Sequence, residues 1–529
     1  MTPRPSRGGP SLGRLKIRIT KSLHVVKLAV RGYSNGRVES VGAVTVGTVA
    51  LCVWPMFMVC ALFDSARGGS VWLELSVVGT TSAVIGLFIL RYARVPKYLS
   101  TARLFRALAS GTLASLGIVM VGLLATGATG SITLALVEAA STITGTNAST
   151  IDISKIEPGV MLLRALGQWI AGAALIVILV RVLPHLGVGG LDADGGVATR
   201  SARRLSPKSS GTVFRLLLLY VMLTALIGVG YAAAGMPLVD SAMHALTTIS
   251  TGGFSTQLGS IGAYQSGPIE WVAVGGMFIA GISLPLIFLA IRRKDLKRFW
   301  RSYEFRFYSL VVLAAASFVA IFARQPLTLD IVRSSLFKVT SAASTTGYID
   351  SASDLTSAGG QSLVIIVMLI GGMSASMTGG FKVMRLLAIS SYIGRELKRV
   401  IHPTAVLPIR VGHSSIGQTA FSRIVGEIFL SLLVLIPGAL ILTNGGLDLE
   451  GAFSFALSCL SNFGPAFGGA AQINHLSELS GIGQIFSAGL MVVGRISITP
   501  VLVVLAFITE PLARTLRRKS FGRRKMAVR

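Results

Sequence analysis

The chain reads Ile249-Ser250-Thr251-Gly252-Gly253-Phe254 directly after a short apolar segment with helical character. Three other segments end in the same manner, at Ser141-Thr142-Ile143-Thr144-Gly145-Thr146, Ala343-Ser344-Thr345-Thr346-Gly347-Tyr348 and Leu460-Ser461-Asn462-Phe463-Gly464-Pro465. Each segment is shorter than the roughly 20 residues that a helix needs to cross a bilayer. Non-helical backbone is tolerated at membrane depth only where it is buried in protein or lines a water-filled cavity. The four segments are therefore predicted to be re-entrant helices of an all-α polytopic membrane protein.

The last glycine of each stretch aligns the four copies. These glycines are Gly145, Gly253, Gly347 and Gly464, and a hydroxyl lies three residues earlier in each copy, at Thr142, Ser250, Ser344 and Ser461. A desolvated cation needs several oxygens in place of its water, which rings of backbone carbonyls and hydroxyls supply. Glycine permits a positive φ, so that carbonyls can turn toward an axis. Close helix packing also favours such residues, but four copies in register favour an ion pathway.

The predicted selectivity filter takes four residues from each copy. They are Thr142, Ile143, Thr144, Gly145, Ser250, Thr251, Gly252, Gly253, Ser344, Thr345, Thr346, Gly347, Ser461, Asn462, Phe463 and Gly464. Apolar spans flank each stretch, which predicts four helix–pore-loop–helix repeats in a pseudo-fourfold arrangement. The predicted divisions are a basic tail (1–40), two extra spans (41–100), the repeats (101–190, 211–295, 303–400 and 415–512) and a second basic tail (513–529).

Composition and charge support a membrane protein. The 529 residues are 52% hydrophobic and 13% charged, and the mean hydropathy is +0.72. The net charge of +28 is concentrated in the tails and in linkers such as residues 292–306, which is the positive-inside pattern rather than a nucleic-acid face. About ten spans with both termini in the cytoplasm are expected. The basic tails are expected to lie against anionic membrane lipids.

Catalytic and metal-binding patterns are not recognisable in the sequence. Cys52, Cys60 and Cys459 lie in apolar segments without metal or redox spacing. The six histidines are scattered, and none shows His-x-x-x-His spacing. His244, on the second re-entrant helix, is interpreted as a packing or hydrogen-bonding residue. An intramembrane enzyme is therefore not expected.

Several longer stretches carry a resemblance to a known family. They are residues 162–169, 183–190, 248–255, 269–271, 371–372, 378–383, 401–403, 462–465 and 494–495. With these residues the sequence resembles the Trk/Ktr/HKT superfamily of K+ transporters, most closely the Trk type. The resemblance implies a homodimeric K+-translocating subunit of the cytoplasmic (inner) membrane with a cytoplasmic nucleotide-binding regulatory subunit of the TrkA kind. K+ would be the substrate, and no organic cofactor is implied.

The family also bears on ion preference and mechanism. A serine in the first copy is associated there with Na+ preference, so Gly145 favours K+. The resemblance implies channel-like uptake, and the alternative is a Na+- or H+-coupled K+ symporter of the Ktr kind.

The glycine-rich segment 371–380 interrupts the second span of the third repeat. Four glycines in ten residues are not expected to form a stable straight helix. The family's intramembrane gating loop lies here, and a kinked, closely packed helix is the alternative. The predicted gating residues are Gly371, Gly372, Ser374, Ser376, Thr378, Gly379, Gly380, Lys382 and Arg495. Arg495 is interpreted either as an electrostatic barrier below the filter or as half of a structural pair.

Three charged residues accompany the re-entrant helices. Glu138 lies seven residues before Gly145, and a carboxylate at membrane depth is a functional candidate. It would either anchor the filter through backbone N–H groups, which we favour, or raise the local cation concentration. Asp240 is predicted to support the filter as the N-cap of the second re-entrant helix. Lys338 would pair with Glu138 or face the outer vestibule.

Overall fold

A computed structural model of the chain describes residues 38–96, 101–182, 209–323, 326–351, 357–405, 407–412, 414–465 and 475–496. Residues 1–37, 183–208 and 497–529, which include most of the first basic tail and all of the second, lie outside the described residues. Within the described ranges the architecture is almost entirely helical, in agreement with the prediction of an all-α membrane protein.

The helices are numbered in chain order. The first half contains α1 (Val41–Ala66), α2 (Trp72–Tyr92), α3 (Thr101–Ala125), α4 (Ile132–Thr144), α5 (Pro158–Val177), α6 (Ser209–Ala233), α7 (Leu238–Ile249), α8 (Gly267–Ala280) and α9 (Leu284–Arg292). The second half contains α10 (Lys297–Arg301), α11 (Tyr303–Ile321), α12 (Leu329–Ala343), α13 (Ala358–Ile370), α14 (Val383–Ile401), α15 (Gln418–Asn444), α16 (Leu449–Ser461), α17 (His475–Glu478) and α18 (Gly481–Ile496).

Four two- or three-residue strands form two small sheets. Strand β1 (Val38–Glu39) pairs in parallel with β2 (Ala93–Arg94), and β3 (Ile409–Val411) pairs antiparallel with β4 (Ser414–Ile416). The first sheet joins the residues before α1 to the residues after α2. An ion pair between Arg94 and Glu39 (3.1 Å) also links these two segments.

Seven of the described helices are long and apolar enough to cross a membrane. They are α1, α2, α3, α5, α6, α11 and α15. Helices α8 and α9 would together make an eighth span, but they meet at an angle of 95°. The apolar residues 270–291 are long enough to form one span, and in the structure they are divided between these two helices. The break falls at Gly281, Ile282 and Ser283, and Pro285 follows in the first turn of α9.

The two leading spans pack on each other through glycine. A Cβ at Gly86 would lie 2.8 Å from the Gly47 carbonyl oxygen, and one at Gly79 would lie 2.7 Å from the Phe57 Cβ. Small residues of this kind let two membrane helices approach closely. Phe57 and Leu75 then join Leu163 in a buried cluster that attaches the leading spans to α5.

Four short helices, α4, α7, α12 and α16, contain only 12 to 15 residues each. Ser131 is the N-cap of α4 and Thr328 is the N-cap of α12. Each side chain accepts a hydrogen bond from a backbone N–H of the first turn. Such caps satisfy amide groups that a helix start leaves unpaired. The carboxyl-terminal halves of all four helices are buried, so their ends meet inside the protein.

Candidate ion pathway

Each short helix ends in the same hydrogen-bonded turn. A backbone N–H donates to the carbonyl five residues earlier: Thr146 to Ser141 (3.0 Å), Gly252 to Thr247 (2.8 Å), Thr346 to Ser341 (2.9 Å) and Phe463 to Ser458 (2.9 Å). These four bonds define which residues are structurally equivalent in the four copies. They do so without reference to residue type.

The residue before each of these donors has a left-handed backbone. The four residues are Gly145 (φ 65°), Thr251 (56°), Thr345 (54°) and Asn462 (55°). Gly145 therefore ends α4 and is equivalent to Thr251, Thr345 and Asn462. It is not equivalent to Gly253, Gly347 and Gly464, the other three glycines of the predicted filter. The predicted register of the first copy is wrong by two residues, because a glycine that ends a helix resembles a filter glycine in sequence.

Asn147 occupies the position that glycine holds in the other copies. Gly253 (φ 77°), Gly347 (φ 78°) and Gly464 (φ 105°) follow their donors directly, as Asn147 follows Thr146. The three glycines have a positive φ and Asn147 does not. The hydroxyl three residues earlier is retained in the corrected register, since Thr144 stands where Ser250, Ser344 and Ser461 stand.

The three glycines and Asn147 lie together, and we call these four residues the ring. A Cβ at Gly253 would overlap the Thr346 carbonyl oxygen, and one at Gly347 would overlap that of Phe463. A Cβ at Gly464 would overlap the backbone of Asn147. The Asn147 N–H donates to the Phe463 carbonyl (3.3 Å). Backbone carbonyls from different copies therefore converge where only glycine fits at three of the four positions.

Hydroxyl groups line the turns that precede the ring. Thr144 and Thr146 are hydrogen-bonded (2.7 Å), as are Ser344 and Thr346 (2.7 Å). Ser250 donates to the Leu246 carbonyl (2.8 Å). Ile143 faces a cavity that also touches the intramembrane loop. These contacts stiffen the turns in several copies.

Thr142 does not join the other predicted filter residues. It donates to the Glu138 carbonyl (2.8 Å), and its methyl group packs against Gly167 on α5. Its place in the predicted filter followed from the wrong register, and it contacts a neighbouring helix.

Glu138 holds the segment that follows Asn147. Its carboxylate accepts hydrogen bonds from the Thr150 N–H (2.8 Å) and from the Ser149 hydroxyl (3.1 Å). It also forms a salt bridge with Arg164 (2.7 Å), and both side chains are at most 2% exposed. These are the contacts of a carboxylate that anchors a loop.

Arg164 and Gln168 also belong to the site, although neither is among the site residues predicted from the sequence. Arg164 donates to Ser149 (2.7 Å), and its guanidinium lies 3.9 Å from the centre of the Phe254 ring. Gln168 donates to the Gly252 carbonyl (2.8 Å). Arg164 could have been found, since a charged residue inside an apolar span is as informative as Glu138. Gln168 has no comparable signal.

Asp240 and Lys338 have other partners than predicted. Pro237 occupies the N-cap of α7, and Asp240 lies in the first turn, where it accepts a hydrogen bond from the Tyr264 hydroxyl (2.7 Å). Lys338 forms an ion pair with Asp350 (3.7 Å), whereas Glu138 pairs with Arg164.

His244 lies between two hydrogen-bonding partners. It contacts the Asp240 carbonyl (2.8 Å) and the Ser255 hydroxyl (2.9 Å), in agreement with the predicted packing role.

A loop separates α13 from α14, where the glycines of residues 371–380 predict an interruption. The helix ends at Ile370 and the next begins at Val383. Gly371 and Gly380 have positive φ. They lie at opposite ends of the loop, and a Cβ on either residue would press against the backbone of the other end. Gly372 donates to Thr378 (3.2 Å), and Ser376 contacts Thr378 (2.8 Å). The loop is therefore closed on itself.

Two charged residues hold this loop from the sides. Lys382 donates to the Thr378 hydroxyl (2.8 Å) and to its carbonyl. Glu304, at the start of α11, accepts a hydrogen bond from the Ser374 N–H. Glu304 was not singled out from the sequence.

The loop lies directly against the short-helix ends. Thr251 donates to the Met377 carbonyl (3.0 Å), and the Gly379 N–H donates to the Thr345 hydroxyl (2.7 Å). Arg495 donates to the same Met377 carbonyl (2.8 Å), and its guanidinium lies 3.7 Å from where a Cβ at Gly145 would be. A cavity of about 640 Å³ adjoins the loop and Arg495. A cation leaving the ring on this side would meet the loop and a positive charge.

Comparisons with known proteins agree with this geometry. Residues 109–514 match the model of the family TrkH, described as cation transport protein. The Trk system potassium uptake protein TrkH of Halomonas elongata is 30% identical over 471 residues, which are 86% of this chain and 95% of that protein. The protein of the same name from Salmonella typhimurium is 29% identical over 381 residues, 71% and 78% of the two chains.

A solved structure shares the fold. It is the crystal structure of the potassium transporter TrkH from Vibrio parahaemolyticus, with a TM-score of 0.79 and 25% identity. The similarity covers 88% of this chain and 98% of that one. Because the family model spans most of the sequence and the relatives are matched over most of their length, the chain belongs to the TrkH family of cation transport proteins.

Proposed function

We propose that this protein takes up K+ across the cytoplasmic (inner) membrane through a channel-like pathway that passes the ring. The observation that carries the proposal is the convergence of four short-helix ends, with their backbone carbonyls, inside a polytopic helical protein. Such carbonyls replace the water of a K+ ion. The relatives' names, which specify potassium uptake in a Trk system, support the choice of K+. They do not favour a coupled symporter of the Ktr kind.

The proposed filter is not a ring of four equivalent glycines. Three glycines and Asn147 form its narrow part in a pseudo-fourfold arrangement, and the turns before them contribute hydroxyls. Glu138 and Arg164 hold the first copy in position, and Asp240 supports the second through Tyr264. No catalytic residue is needed, since the reaction is the movement of an ion.

Residues 371–380 would form the gate. In the described conformation the loop is hydrogen-bonded to Thr251, Thr345 and Arg495. A loop held at these points closes the pathway, and release of these contacts would open it. Family membership further suggests a homodimer, cytoplasmic termini and a nucleotide-binding regulatory subunit of the TrkA kind that would act on this gate. The basic tails would contact membrane lipids.

Growth rescue tests the function directly. Expression of the chain in a K+-uptake-deficient bacterium is expected to restore growth on low-K+ medium, because the ring provides a route for the ion. The matched negative control is the same chain with Gly347→Ala, in which a side chain meets the Phe463 carbonyl. Failure of the unaltered chain to rescue growth, although it is present in the membrane, would contradict the proposal.

Removal of the charge at Arg495 is expected to raise K+ uptake. In Arg495→Ala the Met377 carbonyl loses a donor and the positive charge beside the pathway disappears. A rise of about tenfold in initial 86Rb+ or K+ uptake corresponds to a barrier lower by about 1.4 kcal/mol. Arg495→Lys, which keeps the charge, serves as the control. Equal uptake by the alanine variant and the unaltered protein would favour a purely structural role.

A further inference from the structure

Asn147 places a side chain at the ring where the other copies have none. Its position after the shared turn hydrogen bond is equivalent to that of Gly253, Gly347 and Gly464. The Asn147 amide donates a hydrogen bond of 2.7 Å to the Gly347 carbonyl oxygen. A side-chain donor is therefore bound to an oxygen that belongs to the ring itself.

Contacts around the ring give the order of the four positions. Asn147 touches the fourth copy at Phe463, and the fourth copy touches the third where Gly347 meets Phe463. The third copy touches the second where Gly253 meets Thr346. The second touches the first through Gln168 and the Gly252 carbonyl. Asn147 and Gly347 thus lie on opposite sides of the ring, and a bond between them crosses its centre.

We propose that Asn147 determines the rate and ion selectivity of this pathway, with its carboxamide occupying the cation position of the ring until an entering cation displaces it. The inference rests on the proposed K+ pathway. An amide N–H satisfies a carbonyl oxygen as a cation does, so the ion has to break this bond before it can use Gly347. The carboxamide oxygen is then free to contact the ion as a neutral ligand.

The chemistry gives the direction of both effects. A cation must break one neutral hydrogen bond to enter the ring, so its occupancy of the ring is lower. The typical net strength of such a bond corresponds to an occupancy that is lower by about 2- to 10-fold. A side-chain oxygen on rotatable bonds can also follow a small ion more closely than a backbone carbonyl can. Asn147 therefore slows K+ and weakens discrimination against Na+, relative to a ring of four glycines.

A structural alternative makes the opposite prediction. If the carboxamide only pins the Gly347 loop, its removal would loosen the ring, and both K+ uptake and thermal stability would fall. Asn147 is half-buried, and Glu138 with Arg164 already holds the residues that follow it. The neighbouring segment is thus anchored independently of the carboxamide.

Flux measurements on purified protein in lipid vesicles test the proposal. K+ and Na+ fluxes are measured for the unaltered chain, for Asn147→Gly and for Asn147→Ala, with Asn444→Gly as the matched control at an exposed helix end. Asn147→Gly is expected to raise K+ flux about 2- to 10-fold and to raise the K+/Na+ ratio. Asn147→Ala removes the amide but keeps the Cβ, so it decides the question if the glycine variant does not fold.

Each outcome bears on a separate claim. If the unaltered protein carries K+ but neither variant changes the flux or the K+/Na+ ratio, the role of Asn147 is refuted and the K+ pathway stands. If K+ flux and thermal stability fall together in both variants, the carboxamide only stabilises the structure of the ring, and the inference is also refuted. If no form of the protein carries a cation, the proposed function and the inference fail together.

Discussion

Gly253→Ala is expected to abolish K+ uptake, whereas Gly145→Ala is expected to retain a measurable part of it. Both glycines have a left-handed backbone, which costs an alanine about 1–2 kcal/mol. They differ in the space for a methyl group. At Gly253 the methyl would overlap the Thr346 carbonyl oxygen, and at Gly145 the nearest atom is 3.6 Å away, at the Ser250 carbonyl oxygen.

The overlap at Gly253 has to be relieved by displacing a ring carbonyl. Overpacking of this kind adds about 1–3 kcal/mol, so a loss of uptake on the order of 100-fold or more is expected, against about 5- to 30-fold for Gly145→Ala. Initial K+ uptake at equal membrane protein levels measures both. The reverse result, with Gly145→Ala inactive and Gly253→Ala active, would show that Gly145 belongs to the filter after all.

Arg164→Leu is expected to unfold the first copy. The substitution leaves the carboxylate of Glu138 buried, with hydrogen bonds to Ser149 and Thr150 but no counter-ion. Removing one partner of a buried ion pair lowers the free energy of unfolding by about 3–5 kcal/mol, which is a large share of the stability of most proteins. We expect a sharp loss of monodisperse protein and a lower unfolding temperature in detergent.

Two further variants separate this charge effect from general damage. In Glu138→Gln/Arg164→Leu both charges of this pair are removed, so part of the stability is expected to return. Arg94→Leu breaks the half-exposed pair with Glu39, where the cost is about 0–1 kcal/mol. If Arg164→Leu were no more damaging than Arg94→Leu, the pair would not support the fold.

The spans and the loop were predictable because each depends on a local property of the sequence. Helices α1 and α2 follow from apolar length, and the break after Ile370 follows from four closely spaced glycines. The sharp bend at residues 281–283 is not evident from the sequence, because Gly281 and Pro285 lie within a continuous apolar run. Composition alone does not distinguish a bent pair from one straight helix.

The register of the filter was not predictable from glycine alone. A left-handed residue ends the short helix in all four copies, and a second one follows two residues later in the second, third and fourth copies. The first copy has its glycine at the former place, and the others have it at the latter. Hydrogen bonds back to Ser141, Thr247, Ser341 and Ser458 identify the correct alignment. Three of these four residues are serines, and counting from that shared hydroxyl would have led to Asn147.

Carrying all four copies on one polypeptide has a genetic consequence. In a tetramer of identical subunits, one codon change from glycine to asparagine would place four carboxamides around the axis and block the space between them. Here the same change alters one quarter of the circumference, and the remaining glycines keep their close contacts. Four copies on one chain can thus be changed one at a time, and in the proposed pathway each such change would alter conductance in a small step.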